Sequence, residues 1–163
     1  FTGSGFSCEV VGGSRDLHAG QVIDRIGVML GLAFPAGPAL EKLAMSYGGN
    51  PKKRKPSLEG CYCHLSGLEN MARDLLRETQ DPAAVAAFVF DYSGASLLGM
   101  TDAYLASYGE MPILYAGGVM SSTLLQRRLG GHHDALFAPP VLSADNAVGI
   151  ATLTAYRAFS QYS

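Results

Sequence analysis

The stretch from Asp81 to about Ser107 most limits what this chain can fold into. Asp81-Pro82 reads as a helix cap followed by a first helical residue, and the run behind it is apolar nearly all the way round. Val85, Phe88, Val89, Tyr92, Leu97, Leu98 and Leu105 are spread over its faces, so a helix here is covered on several sides. Gly94, Ala95, Ser96 and Gly99 form a strip of small residues where another element approaches closely. Core packing accounts for that strip better than a ligand channel does.

The other elements are expected to pack around this helix. Phe6–Val11 alternates like a strand or hairpin arm and runs into a turn at Gly12-Gly13-Ser14. Asp16 offers a cap for a helix from His18 to Leu30, whose apolar side is Val22, Ile23, Ile26 and Leu30 and whose end is Gly31. Asp24 and Arg25 lie on its less apolar side. Phe34-Pro35-Ala36-Gly37-Pro38 is a tight connector, with Pro38 suited to start a second helix that Gly48-Gly49 ends. Gly60–His64 reads as a strand, Ser66-Gly-Leu-Glu69 as a capping box, and Leu68 to about Thr79 as an amphipathic helix.

Chemistry is expected at two places. Ile113–Ser122, ILYAGGVMSS, is a strand that meets Gly117-Gly118 and then a helix over Val119–Leu129. Without side chains, such a turn lets a phosphate or nucleoside lie against the backbone, although helix-start packing explains a glycine pair about as well. Asp145 follows a short strand, Ala135–Ala138, and Pro139-Pro140, at or just inside the start of the last helix. It either complements the helix dipole or presents a hard oxygen to a metal or metal–nucleotide complex. His132-His133 reads as a helix end, because adjacent histidines point in different directions. The bracketed run Asn50-Pro51-Lys52-Lys53-Arg54-Lys55-Pro56 is a solvated loop, either plainly charged or in contact with RNA phosphates, the plain reading being the more economical.

Composition excludes little. Lys and Arg number 12 against 14 Asp and Glu, so net charge names neither nucleic acid nor membrane as a partner. No apolar run is expected to reach the length of a membrane span, no signal-peptide pattern opens the chain, and a cytoplasmic protein is the simple expectation. Cys8, Cys61 and Cys63 are odd in number and lack zinc spacing, which points to free thiols. One domain is the default for 163 residues. The start at Phe1, directly in a strand-like pattern, suggests a fragment. There is no HExxH pair.

Five blocks in order, Asp16–Arg25, Leu30–Ala44, His64–Asn70, Tyr115–Leu129 and Phe137–Ala151, resemble the C-terminal half of the TsaD/Gcp family. That family was once labelled glycoprotease or O-sialoglycoprotein endopeptidase and is now understood as the tRNA threonylcarbamoyladenosine transferase. The resemblance implies an α/β, actin-like ATPase fold with two ribonuclease-H-like lobes, a mixed sheet packed by helices, and residues 1–163 as mostly the second lobe. It implies an ATP- or AMP-type nucleotide contacted at Asp24, Gly37, Gly117 and Gly118, with Ser122 where the family has a ligand-contacting asparagine. It implies a divalent metal, iron or zinc, held by Asp145 with two histidines of the absent first lobe. Expected partners are that lobe, a second copy or a paralogue, and tRNA by way of Lys52–Lys55, with no membrane. This sequence departs from the family pattern at Ala36, Glu69, Gln21 and Ser122. Nucleotide binding is expected to survive these changes better than tRNA modification. The domain alone is expected to be inactive; a non-catalytic paralogue serving as an interaction module is the alternative.

Overall fold

The computed structural model describes residues 2–4, 7–143 and 147–160. In order the elements are strands β1 (Thr2–Ser4), β2 (Ser7–Glu9) and β3 (Gly13–Ser14), helices α1 (Ala19–Met29) and α2 (Gly37–Met45), strands β4 (Ser57–Glu59) and β5 (Tyr62–His64), and helices α3 (Ser66–Thr79) and α4 (Pro82–Tyr108). Strand β6 (Ile113–Tyr115), a 3-10 turn (Gly118–Ser121), α5 (Thr123–Leu129), β7 (Ala135–Phe137), α6 (Pro140–Ser143) and α7 (Ala147–Ser160) complete the series.

The architecture is α/β with a mixed sheet. β5 lies between β3, to which it is parallel, and β4, to which it is antiparallel. β1–β2 is an antiparallel hairpin and β6–β7 a parallel pair. Gly13–Ser14 is therefore a strand and not the expected turn. A Cβ at Gly12 would collide with the Cys61 carbonyl, so glycine is what lets the two backbones approach. β4 has no counterpart in the sequence reading.

α4 is the axis. It contacts α1, α2, α3, α5, β4 and β5, and Val85, Phe88 and Val89 on it are essentially inaccessible. Its 27 residues are long and apolar enough to cross a membrane by length and composition, contrary to the sequence expectation. Burial in the core accounts for that composition. The small strip works as expected: a Cβ at Gly94 would strike Arg128 of α5, and one at Gly99 would strike Leu58 of β4. Asp91, buried on α4, accepts from Arg128 Nη1 at 2.6 Å and from Lys53 Nζ. Lys52 pairs with Glu78 at 2.6 Å and draws that carboxyl below its usual range. The basic loop is thus half committed to ion pairs with α3 and α4, and of its cations Arg54 and Lys55 are the exposed ones without such a partner among the described residues. The expectation of a wholly solvated loop is corrected.

Helix starts also differ from expectation. Asp81 caps α4 as read, accepting from Ala83 and Ala84 N–H at 2.8 and 3.2 Å. Asp16 does not cap α1, whose N-cap is His18. It reaches across the sheet to α3 instead, accepting from Leu65 N–H (2.8 Å), Ser66 N–H (3.1 Å) and Ser66 Oγ (2.6 Å). The Ser66–Glu69 capping box does not form, because Ser66 is inside the helix and Leu65 is its N-cap. Partial burial raises the pKa of Asp16, and hydrogen bonds from Ser66, Leu65 and Leu17 outweigh it, holding the carboxyl well below the usual carboxylate range. α1 ends as expected in a Schellman motif, with Gly31 at φ 85° and Leu32 N–H bonded to the Gly27 carbonyl at 2.9 Å. α2 stops at Met45, before Gly48-Gly49, and Pro38 is its second residue.

Candidate nucleotide cleft

α1, the connector into α2 and the segment after β6 meet around a cleft of about 490 Å³, within the roughly 300–1,000 Å³ of small-molecule sites. Ile23, Phe90 and Val119 supply apolar wall, Gly37 and Gly118 supply bare backbone, and Asp24 and Glu41 supply carboxylates.

Local sequence explains each position. Asp24 sits on the polar side of α1, and its Oδ1 accepts from Ala36 N–H at 2.8 Å, which ties the connector to the helix. Gly27 permits this, since a Cβ there would overlap that of Ala36. The connector delivers Gly37 and Pro38 to the cleft edge. Opposite, Gly117 takes φ 103°, a conformation glycine adopts without strain, and the chain turns into the 3-10 segment with Met120 N–H on the Gly117 carbonyl at 2.9 Å. A Cβ on Gly118 would meet nothing within 4 Å, so that position is open to the cleft.

The expected continuous helix over Val119–Leu129 is split at Ser122. That residue caps α5 by accepting from Leu125 N–H at 3.3 Å. Its Oγ donates to Glu41 Oε1 at 2.9 Å, and the same oxygen accepts from Thr123 Oγ1 and Leu124 N–H, both at 3.0 Å. Glu41 therefore bolts α2 to the start of α5. It went unnoticed in the sequence, where the available signal was its spacing of four from Gly37, which puts both on one face of a helix.

Of the residues singled out from sequence, Asp24, Gly37, Gly118 and Ser122 line one cleft although they come from three separate stretches. Gly117 shapes the turn but is not part of the lining. Ser122 is 7% exposed with its hydroxyl engaged on Glu41 and Leu125. Asp145 lies outside the described residues, as do Ala144 and Asn146. Among the described residues no three His, Cys, Asp or Glu side chains come together as a metal site. His133 Nε2 is engaged with the Tyr115 hydroxyl at 2.6 Å, and burial pushes the Tyr115 phenol and the Cys63 thiol up.

Among the described residues the cleft lining holds two carboxylates and no cationic side chain. Carboxylates accept from hydroxyl and amine donors and repel phosphate. The chemistry suits the nucleoside end of a nucleotide on apolar wall, with ribose hydroxyls on carboxylate oxygens.

Comparison with known proteins agrees with the five sequence blocks. The TsaD model, described as tRNA N6-adenosine threonylcarbamoyltransferase, matches residues 1–152. A curated protein of that name from Gluconobacter oxydans is 34% identical over 163 residues, covering 86% of this chain and 44% of the relative. Others of that name are 32% identical in Desulfitobacterium hafniense (91% of this chain, 48% of the relative) and 32% identical in Thermus thermophilus (91% and 46%). The chain spans a little under half the length of these relatives. By the extent of the match and the order of its motifs, this chain belongs to the TsaD family of tRNA N6-adenosine threonylcarbamoyltransferases.

Proposed function

We propose that residues 1–163 form one lobe of a two-lobed, actin-like TsaD protein and that the cleft holds the adenosine part of an ATP- or AMP-type nucleotide. The observation that carries this is the convergence of Asp24, Gly37, Gly118 and Ser122 on one cleft of small-molecule size. Asp24 and Glu41 take hydroxyl donors, Ile23, Phe90 and Val119 hold the apolar face, and the glycine backbone gives the ligand room. The reaction is transfer of a threonylcarbamoyl group from its adenylate to the exocyclic amine of a tRNA adenosine. The second lobe covers the cleft and excludes water, so this chain alone is inactive. Arg54 and Lys55 are the loop residues left for RNA phosphate.

Asp145 holds iron or zinc together with ligands from outside this chain; metal content unchanged by Asp145→Ala sinks this assignment. A cytoplasmic setting accompanies the tRNA substrate.

The test is AMP titration by calorimetry on the protein and on Gly37→Val. A Cβ at Gly37 makes only ordinary contact with Ile23 at 3.8 Å, so the backbone there accepts a side chain at the cleft edge. Loss of AMP binding with an unchanged melting temperature supports the reading; undiminished binding overturns it.

A second reading, a non-catalytic paralogue that pairs through a helical face, is favoured by the exposure of Val28 on α1 and Met45 on α2, 53% and 48%. A dimer in solution that dissociates on Val28→Glu supports it.

A further inference from the structure

Asp24 lines a second depression as well. This open groove, about 630 Å³, is bordered by Arg25, Val28 and Met29 of α1, by Phe34 of the connector and by Glu69 of α3. Its main feature is an uncovered aromatic ring, Phe34, which is 74% exposed. The acceptors beside it are not saturated. Glu69 Oε1 accepts from Arg73 at 2.8 Å, whereas Arg25 stands 3.8 Å from Oε2, beyond hydrogen-bond reach. Asp24 uses Oδ1 on Ala36 N–H, and no described residue donates to its Oδ2.

A bare ring next to two carboxylates selects a flat group that carries an N–H donor. Stacking supplies the attraction, the carboxylates accept from the donor, and phosphate is turned away. We propose that this groove seats the acceptor base, with the adenine stacked on Phe34 and its exocyclic amine held by Asp24 and Glu69. Arg25, 56% exposed at the groove edge, faces the sugar–phosphate chain. The inference rests on reading the neighbouring cleft as the nucleotide site. Asp24 borders both depressions, so the nucleoside and the acceptor base lie on the two sides of one carboxylate. A partner helix fits less well, because Val28, Met29 and Phe34 are interrupted by Gln21, Asp24, Arg25 and Glu69 and make no continuous apolar stripe.

The test is fluorescence anisotropy with a labelled RNA hairpin bearing an unpaired loop adenosine, and with the same hairpin carrying purine riboside, which lacks the amine, at that position. The adenosine hairpin binds more tightly to the protein. Phe34→Ala weakens it on the order of 10-fold, Phe34→Tyr restores it, and Glu69→Lys removes the preference over purine riboside. AMP affinity, measured separately, stays unchanged in Phe34→Ala. Because Phe34 is largely in solvent, its truncation leaves the fold intact, and an unchanged melting temperature verifies this. Hairpin binding indifferent to Phe34→Ala overturns the inference and leaves the cleft reading standing. Equal loss of AMP and hairpin binding assigns Phe34 to the nucleotide and also overturns it, as does a change in oligomeric state alone. A protein that never bound AMP would instead fail the cleft reading, whatever the hairpin did.

Discussion

α4 and α5 begin in different ways. α4 starts on its own aspartate, Asp81, one residue before the helix. α5 starts on Glu41, from a helix 81 positions away in sequence, with Ser122 as intermediary. α3 follows the second pattern, held by Asp16 from 50 positions away. A local cap stabilises one helix end. A carboxylate brought from elsewhere also fixes how two elements sit against each other, and at α5 both Glu41 and the capping Ser122 line the cleft.

Substitutions can break this contrast. Asp16→Ala is expected to have the largest effect, about 2–3 kcal/mol of lost stability, since it strands two backbone N–H groups and a hydroxyl at the start of α3; chemical denaturation measures it. The pH dependence shares that origin. The folded pKa of Asp16 is depressed, so its contribution is whole above the unfolded-chain value of about 3.9 and is lost as pH falls from there through the folded value. The acid limb of a stability–pH curve should therefore be flatter in Asp16→Asn than in the parent. Glu41→Ala is expected to cost about 1–2 kcal/mol and also to weaken AMP binding, because it removes a lining carboxylate and frees Ser122 beside it. Asp81→Ala should cost about 1 kcal/mol and leave AMP binding untouched. If Glu41→Ala and Asp81→Ala had the same effect on AMP, the distinction between wall and cap would fall.

The same contrast explains what the sequence could be read for. Asp81-Pro82, the course of α4 and the end of α3 at Thr79 all depend on neighbours within one or two helical turns, and all were legible. Asp16 and Glu41 act across the fold, so nothing near them in sequence distinguishes them from ordinary surface carboxylates. The continuous helix expected after Val119 failed for that reason, since Ser122 leaves the helix to serve as cap and partner of Glu41. β4 escaped notice because its three residues follow a proline-bracketed charged run and gain strand character only by pairing with β5. Four cleft residues were legible through family-like motifs, whereas Phe34 stood out only once its exposure was known.

The most direct test of the cleft is AMP titration against Gly118→Leu, where a side chain has open space to enter and no packed neighbour to displace. The account predicts that AMP binding falls below detection while the melting temperature holds. Full-strength AMP binding to the folded Gly118→Leu protein would contradict it.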